Sequence, residues 1–198
     1  MYYNRYFSLI AFLLLVGCAS GPTTTKKPVS LNQDSITGAP DALISEYKKA
    51  LKDMQAGRYE SAKKRLNKLT FSYPNYSGPY ANLGIIYYND GNLTAAEIAL
   101  NKAIEINKKN AMAHNQLGII YRSQGEFEKA RTSYRKAIQI DPQYALAYYN
   151  LGILYELYLR DFRRAVEYYK QYQKYSPEKD KLVASWIRDL EHRIKAKE

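Results

Sequence analysis

A pattern of small and apolar residues recurs every 34 residues along most of this chain. Its clearest copy, residues 111–144, contains two amphipathic helical patterns that meet at Gln124-Gly125-Glu126 and end at Asp141-Pro142. The recurring positions of this copy are Leu117, Gly118, Tyr121, Ala130, Tyr134, Ala137 and Pro142. A helical hairpin of this size leaves one apolar face open, so the pattern predicts hairpins that bury this face by stacking.

Three further copies lie in register with this one. The preceding copy contains Leu83, Gly84, Tyr87, Ala96, Leu100 and Ala103. The following copy contains Leu151, Gly152, Tyr155, Ala165, Tyr169, Tyr172 and Pro177, with one extra residue in the turn 159–161. The weakest copy begins the array and contains Ala50, Gly57, Ala62, Leu66, Leu69 and Pro74. These spacings resemble the tetratricopeptide repeat (TPR), a helix-turn-helix unit of about 34 residues. The resemblance implies an all-α TPR solenoid of about four repeats over residues 41–177.

Small residues mark where the two helices of each hairpin approach each other. Gly84, Gly118, Gly152 and Ala50 are expected opposite Ala96, Ala130, Ala165 and Ala62, respectively. Glycines 57, 91 and 125 mark the turns of three hairpins, where a residue that tolerates positive φ is useful. The fourth hairpin lacks this glycine and carries the extra residue, so we expect its turn to be distorted.

Residues 178–198 predict a capping helix after the last repeat. Val183, Trp186, Ile187, Leu190 and Ile194 share one helical face, and charged residues occupy the other. Because a solenoid needs a terminal element with one polar face, we expect this helix to close the array and to bury Trp186 against the fourth repeat.

Residues 1–17 have the composition of a signal peptide. Arg5 precedes an apolar run, residues 6–16, which is shorter than the roughly 20 residues that a membrane-spanning helix needs. The segment Leu15-Val16-Gly17-Cys18 resembles the lipobox of bacterial lipoproteins. This resemblance implies cleavage before Cys18 and acylation of its thiol and its new amino group. Cys18 is the only cysteine of the chain, so this interpretation leaves no thiol for a disulfide.

Residues 18–40 contain the lipidated cysteine and a segment rich in Gly, Pro, Thr, Ser and Lys, which predicts a flexible tether. In bacteria with two membranes, lipoproteins of this type that carry Asp after the cysteine stay at the inner membrane. Ala19 and Ser20 stand there in this chain. The resemblance therefore implies an anchor in the outer membrane with the repeats facing the periplasm, or the outer surface of a bacterium with a single membrane.

Residue types suited to catalysis do not cluster in the repeat register. His114 occupies a position filled by Tyr80 and Tyr148 in the neighbouring repeats, and His192 lies on the polar side of the last helix. Neither belongs to a metal or nucleophile pattern, and there is no phosphate-binding glycine loop. We therefore expect no enzyme, no metal and no cofactor.

The resemblance to TPR proteins places the function on the first helix of each repeat, which in that family lines a concave groove for a protein or peptide partner. The positions that match in this chain are Asn82, Ile85, Tyr88, Asn89, Met112, Asn115, Gln116, Ile119, Arg122, Leu146, Tyr149, Asn150, Ile153 and Leu157. Amides beside Tyr, Met and Ile suit an extended peptide or a partner helix. As an alternative, the C-terminal helix fills this face at Tyr149, Ile153 and Leu157.

The carboxylate clamp of some TPR proteins requires Lys and Arg at fixed groove positions. Tyr47, Leu51, Ala81 and Ile85 stand where its first Lys and Asn would fall in either possible register, so we do not expect that activity. The net charge of +11 would ordinarily indicate nucleic acid, but an export signal argues against that partner. The alternative partners of the basic surface are anionic lipid, peptidoglycan carboxylates or an acidic protein. A further alternative is that this surface is only solvated and binds no partner.

A lipid anchor, a tether and a solenoid together resemble the lipoproteins that pilot secretins in type IV pilus and related secretion systems. This resemblance implies an adaptor in the assembly of an envelope machine. The layout is also similar to lipidated TPR scaffolds of peptidoglycan hydrolases or synthases, and this alternative stays open.

Overall fold

The computed structural model describes residues 38–196, which are entirely helical outside their turns. The nine helices of this part are α1 (Asp41–Gln55), α2 (Tyr59–Ser72), α3 (Ser77–Asn89), α4 (Leu93–Ile106), α5 (Ala111–Ser123), α6 (Phe127–Ile140), α7 (Ala145–Ile153), α8 (Phe162–Tyr175) and α9 (Lys181–Lys195). Helices α1 to α8 pair as four hairpins, numbered here as repeats 1 to 4, and α9 packs on α8. The prediction of an all-α TPR solenoid of four repeats and a terminal helix is confirmed.

The turns of the first three hairpins share one geometry. Gly57, Gly91 and Gly125 have φ values of 75°, 77° and 81°, a region that other L-residues enter only at a cost. Each glycine N–H donates a hydrogen bond to the carbonyl three residues earlier, which closes the preceding helix. The predicted role of these three glycines is confirmed.

Polar side chains start four of the helices. The side chains of Asn92, Asn110, Asp161 and Asp180 each accept a hydrogen bond from a backbone N–H in the first turn of the helix that follows. Asp41, in contrast, lies inside the first turn of α1 after Pro40 and makes no capping hydrogen bond. Its charge still favours the start of the helix through the helix dipole.

The glycine in the first helix of repeats 2 to 4 faces a large side chain of the second helix. A Cβ atom on Gly118 would lie 2.5 Å from Cε1 of Tyr134, and the corresponding neighbours are Leu100 for Gly84 and Tyr169 for Gly152. The close approach expected at these glycines is confirmed, but the contact is made by side chains one turn beyond the expected alanines. Only at Gly84 does an expected alanine contribute, through its backbone oxygen.

The fourth hairpin absorbs its extra residue in two ways. Helix α7 continues from Leu154 to Tyr158 as a π-helix, whose wider turn holds one residue more than an α-helical turn. Arg160 then takes φ 57°, the conformation that glycine supplies in the other three turns. The distorted turn predicted for this repeat is therefore confirmed.

A buried polar contact crosses each boundary between repeats. The amide of Asn82 donates to the Tyr47 hydroxyl at 2.5 Å, and the amide of Asn150 donates to the Asn115 side chain at 3.0 Å. Between repeats 2 and 3 the contact is Asn110 to the hydroxyl of Ser77, at 3.3 Å. These bonds pair amide donors that would be costly to bury alone, although Oδ1 of Asn82 has no partner, and they fix how successive hairpins stack.

Candidate partner-binding groove

The first helices of the repeats lie side by side, since α3 contacts α5 and α5 contacts α7. We call the face that they form the groove. Ile85, Met112 and Ile119 are partly buried on this face and pack against the core of their own or an adjoining repeat. The remaining predicted groove residues with partial or full exposure are Tyr88, Asn89, Gln116, Arg122, Leu146, Tyr149, Ile153 and Leu157.

Three asparagines predicted to meet a partner are instead internal. Asn82, Asn115 and Asn150 retain only 0%, 1% and 6% of their surface exposed. Asn82 bonds to Tyr47 and Asn150 bonds to Asn115, so Asn82 and Asn150 face the preceding repeat and Asn115 faces the following one. In this structure the three amides lie at the boundaries between hairpins, and their binding of a partner stays a prediction.

The C-terminal helix covers the far end of the groove. The Trp186 ring of α9 stacks on Tyr149 of α7 with 6.3 Å between ring centroids, and it lies 5.8 Å from the ring of Tyr169. Tyr149 and Ile153 belong with Trp186 to the cluster around α8. The alternative in which α9 occupies this face applies to these two residues. Leu157 is 56% exposed and remains open.

The groove contains a cationic side chain one helical turn from the glycine on which Tyr134 packs. Arg122, in the last turn of α5, has a buried Nη1 atom without a hydrogen-bond partner. The hydroxyl of Tyr134 is also buried and without a partner. Burial raises the pKa of Tyr134 well above its usual value, and the positive charge of Arg122 opposes that rise. The sequence marked Tyr134 as a packing residue, and its unpaired hydroxyl is visible only in the structure.

Tyr169 illustrates how such a hydroxyl is normally satisfied. Its O–H donates to Glu156 at 2.8 Å, and burial followed by this hydrogen bond raises its pKa far above the usual value. Glu156 is the acidic residue on this face of repeat 4, at the position equivalent to Arg122 in repeat 3. Its Oε2 atom accepts this hydrogen bond from Tyr169, and no ion pair between Glu156 and Arg122 forms among the described residues.

Repeat 1 is held together by an ionic network that the sequence analysis did not identify. Asp53, only 7% exposed, accepts hydrogen bonds from Ser61 at 2.8 Å, Arg58 at 2.6 Å and Arg65 at 3.0 Å. Arg65 continues the network to Glu46 at 2.9 Å. The hydrogen bond from Ser61, aided by the two guanidinium groups, lowers the pKa of Asp53 to about 2. These bonds join α1 to α2. In this repeat Ala50 occupies the position that Gly84, Gly118 and Gly152 have in the other repeats.

Within residues 38–196 no three His, Cys, Asp or Glu side chains are grouped as metal ligands. The imidazole of His114 lies 3.3 Å from the Lys108 carbonyl oxygen, and burial lowers its pKa. His192 is exposed near the end of α9. None of the helices between residues 38 and 196 has the length and apolar character needed to cross a membrane. The predicted signal peptide, Cys18 and most of the tether lie outside the described residues.

Comparison with protein families identifies the repeats. Models described as TPR or tetratricopeptide repeats match residues 47–111, 99–132, 118–157 and 147–181. A solved structure of MamA is 30% identical and covers 67% of this chain and 72% of its own, with a TM-score of 0.56. The chain is a tetratricopeptide repeat protein. No curated protein matches it in sequence.

Two other solved TPR structures share the fold. PilF of Pseudomonas aeruginosa is 23% identical, covers 78% of this chain and 70% of its own, and has a TM-score of 0.70. YrrB, described as a TPR protein with an unusual peptide-binding site, is 22% identical over 75% of each chain, with a TM-score of 0.57. TPR domains bind protein or peptide partners in a groove, so this TPR chain is a protein-interaction module.

The fold also occurs as part of an enzyme. The O-GlcNAc transferase of Thermobaculum terrenum covers 67% of this chain but only 26% of its own length, with a TM-score of 0.62 and 20% identity. TPR proteins in general act as scaffolds, and in such an enzyme the matched region is a minor part of the chain.

Proposed function

We propose that this TPR protein is a lipid-anchored adaptor that faces the periplasm from the outer membrane and assists assembly of a type IV pilus or secretion system. The observation that carries the proposal is the open groove on α3 and α5. There Ile85, Met112 and Ile119 are partly exposed beside Arg122 on a rigid helical face. Such a surface buries the apolar side chains of an extended segment or helix while its polar groups fix the orientation.

The anchor is supported by sequence alone. Leu15-Val16-Gly17-Cys18 gives the lipobox spacing, and the segment to residue 40 is polar and rich in Gly, Pro and Thr. Several acyl chains, at about 0.8 kcal/mol per buried CH₂ group, hold a protein firmly at a membrane. A tether then lets the groove reach a partner that assembles near the membrane.

Photo-crosslinking in intact cells tests the adaptor function. A photoreactive amino acid replaces Ile85 or Met112 in the groove, and the matched control replaces Ile98, which is 66% exposed on α4. Capture of a secretin or pilus subunit from the groove positions, and not from Ile98, is the expected result. Deletion of the protein should also reduce secretin multimers on non-denaturing gels. Normal multimers, pili and secretion in the deletion strain would refute the proposal.

A separate experiment tests the anchor. Cys18→Ser removes the thiol that would carry the lipid, so the variant should incorporate no radioactive palmitate and should leave the membrane fraction. Ser20→Ala, which keeps the cysteine, is the control and should be labelled normally. Continued labelling of Cys18→Ser would exclude lipidation at this cysteine.

A second candidate function is favoured by the basic residues of the second helices. Lys64 and Lys68 on α2 and Arg135 and Lys136 on α6 are exposed. They suit the carboxylates of peptidoglycan, which is consistent with a scaffold for peptidoglycan hydrolases or synthases. Altered cell shape with normal pili in the deletion strain, and capture of such enzymes from the groove, would support this candidate over the first.

A further inference from the structure

Arg122 is the cation among the predicted groove residues, and no described residue accepts a hydrogen bond from its guanidinium group. Arg122 carries five N–H donors in a planar fork, and its Nη1 atom is buried without a partner. Arg122 forms no ion pair with any described residue, whereas Arg58, Arg65 and Arg131 each bond to a carboxylate. A buried guanidinium N–H without an acceptor costs free energy, and an oxygen atom of a ligand can remove this cost by accepting its hydrogen bond.

A second unpaired donor lies close to this guanidinium. Tyr134 on α6 is 0% exposed, and its hydroxyl has no hydrogen-bond partner. The Tyr134 ring packs on Gly118, with its Cζ atom 3.0 Å from where a Cβ atom of that glycine would lie, and Gly118 is one helical turn before Arg122 on α5.

We propose that Arg122 and the Tyr134 hydroxyl form a seat for one Asp or Glu side chain of the protein segment that binds in the groove. A carboxylate has two oxygens that match the guanidinium fork and still accept a hydrogen bond from a hydroxyl. The seat therefore satisfies both unpaired donors at once. The inference rests on the proposed function, because it requires the groove to bind a partner segment.

The surroundings favour a side chain over a free chain terminus. Groove residues of repeat 2, Ile85 and Tyr88, lie on one side of Arg122, and the exposed Leu157 of repeat 4 lies on the other. A bound segment thus has apolar contacts before and after the seat, and its acidic residue is internal. The seat also differs from the carboxylate clamp, because Tyr47 and Ala81 at clamp positions are buried.

Peptide selection tests the seat. Purified full-length protein in detergent is used to select from a phage library of random 12-residue peptides, in parallel with Arg122→Gln, Arg122→Glu and the control Arg135→Gln on α6. Wild-type protein and the control should enrich peptides with Asp or Glu at one fixed position among apolar residues. Arg122→Gln should lose this preference and keep the apolar positions, and Arg122→Glu should select Lys or Arg there instead.

Fluorescence anisotropy then measures the contribution of the acidic residue. Replacing it by Asn or Gln in the selected peptide should weaken binding to wild-type protein about tenfold, the effect of one charge-assisted pair. The same replacement should not alter binding to Arg122→Gln. Tyr134→Phe should weaken binding of the acidic peptide about fivefold, since one hydroxyl donor is lost. Circular dichroism confirms that each variant is folded.

The outcomes separate the seat from the groove function. Apolar peptides without an acidic preference, selected equally by wild type and Arg122→Gln, would overturn the seat and leave the groove as a binding site. The seat would also be overturned if amidation of the peptide C-terminus reduced the affinity while replacement of the internal acidic residue had no effect. If no peptide is enriched by any form, both the groove function and the seat are refuted.

Discussion

Gly118 is one of the positions where a single methyl group decides whether a hairpin can close. A Cβ atom there would lie 2.5 and 2.6 Å from two ring carbons of Tyr134, which is itself fully buried and cannot move aside. We expect Gly118→Ala to lower the free energy of unfolding by about 1 to 3 kcal/mol through overpacking. Urea denaturation followed by circular dichroism measures this change.

The matched control for that substitution is Thr132→Ala on α6, an exposed helical position. It should change the free energy of unfolding by no more than about 0.5 kcal/mol. Equal stability of Gly118→Ala and wild type would mean that α5 and α6 can separate, contrary to the packing described above.

Two buried tyrosine hydroxyls give opposite predictions. The Tyr134 hydroxyl has no partner, so Tyr134→Phe should leave the unliganded protein as stable or make it more stable. The Tyr169 hydroxyl donates to Glu156, so Tyr169→Phe should cost about 1 to 3 kcal/mol by losing a hydrogen bond to a charged group. Chemical denaturation of the two variants distinguishes them. A destabilised Tyr134→Phe would show that this hydroxyl is bonded in the free protein.

At the scale of the helical element, the fourth hairpin carries backbone strain that glycine would relieve. Arg160 takes φ 57°, where a side chain costs energy and glycine does not. Arg160→Gly should therefore raise the free energy of unfolding by about 1 kcal/mol. The reverse change, Gly125→Arg at φ 81°, should lower it. Thermal denaturation of both variants measures the effects, and no gain from Arg160→Gly would mean that another contact stabilises this turn.

Trp186 supplies the aromatic ring contacts of helix α9 with repeat 4. Trp186 contacts both Tyr149 and Tyr169, so Trp186→Ala removes the aromatic contacts to α7 and α8 together. We expect a loss of about 2 kcal/mol, less than for a fully buried Trp because Trp186 is only partly buried. Leu182→Ala, at a 50% exposed position of the same helix, is the control and should have little effect. Denaturant midpoints followed by circular dichroism compare the two, and equal midpoints would show that α9 is held by other contacts.

At the scale of the whole molecule, the two ends of the array should respond differently to acid. Asp53 titrates with a pKa of about 2 when folded, below its unfolded value, so its contribution to stability is complete above the unfolded pKa of about 3.9. That contribution is lost as the pH falls toward 2. Repeat 1 should therefore unfold before the C-terminal end as the pH is lowered.

The single tryptophan, Trp186, makes this prediction measurable. Acid titration should lower the helical signal in circular dichroism before Trp186 fluorescence changes. In the Asp53→Asn variant, the early loss of helical signal should no longer depend on pH between 4 and 2. The control variant Asp189→Asn, on the surface of α9, should behave as wild type. Coincident transitions for both signals in wild type would show that the array unfolds as one unit and would contradict the prediction.

The sequence was sufficient for the solenoid because many residues repeat the same spacing. The Gly118–Tyr134 contact and its equivalents join a glycine to a large side chain 16 residues later in repeats 2 and 3, and 17 residues later in repeat 4, where the turn has an extra residue. The groove was harder to predict, because the exposure of an amide depends on the residue facing it from the preceding repeat. Asn82 is buried by its bond to Tyr47, and Asn150 by its bond to Asn115, each 35 positions earlier. A rule based on position within one repeat does not include those partners.

The nearest-neighbour stacking of the hairpins also determines how the protein would respond to mechanical force. Because the main contacts join helices adjacent in the chain, a pull between the two ends would detach one hairpin at a time. Each detached hairpin would add length while the rest kept its shape. The array would thus act as an extensible link, able to lengthen in steps under load between whatever holds its two ends.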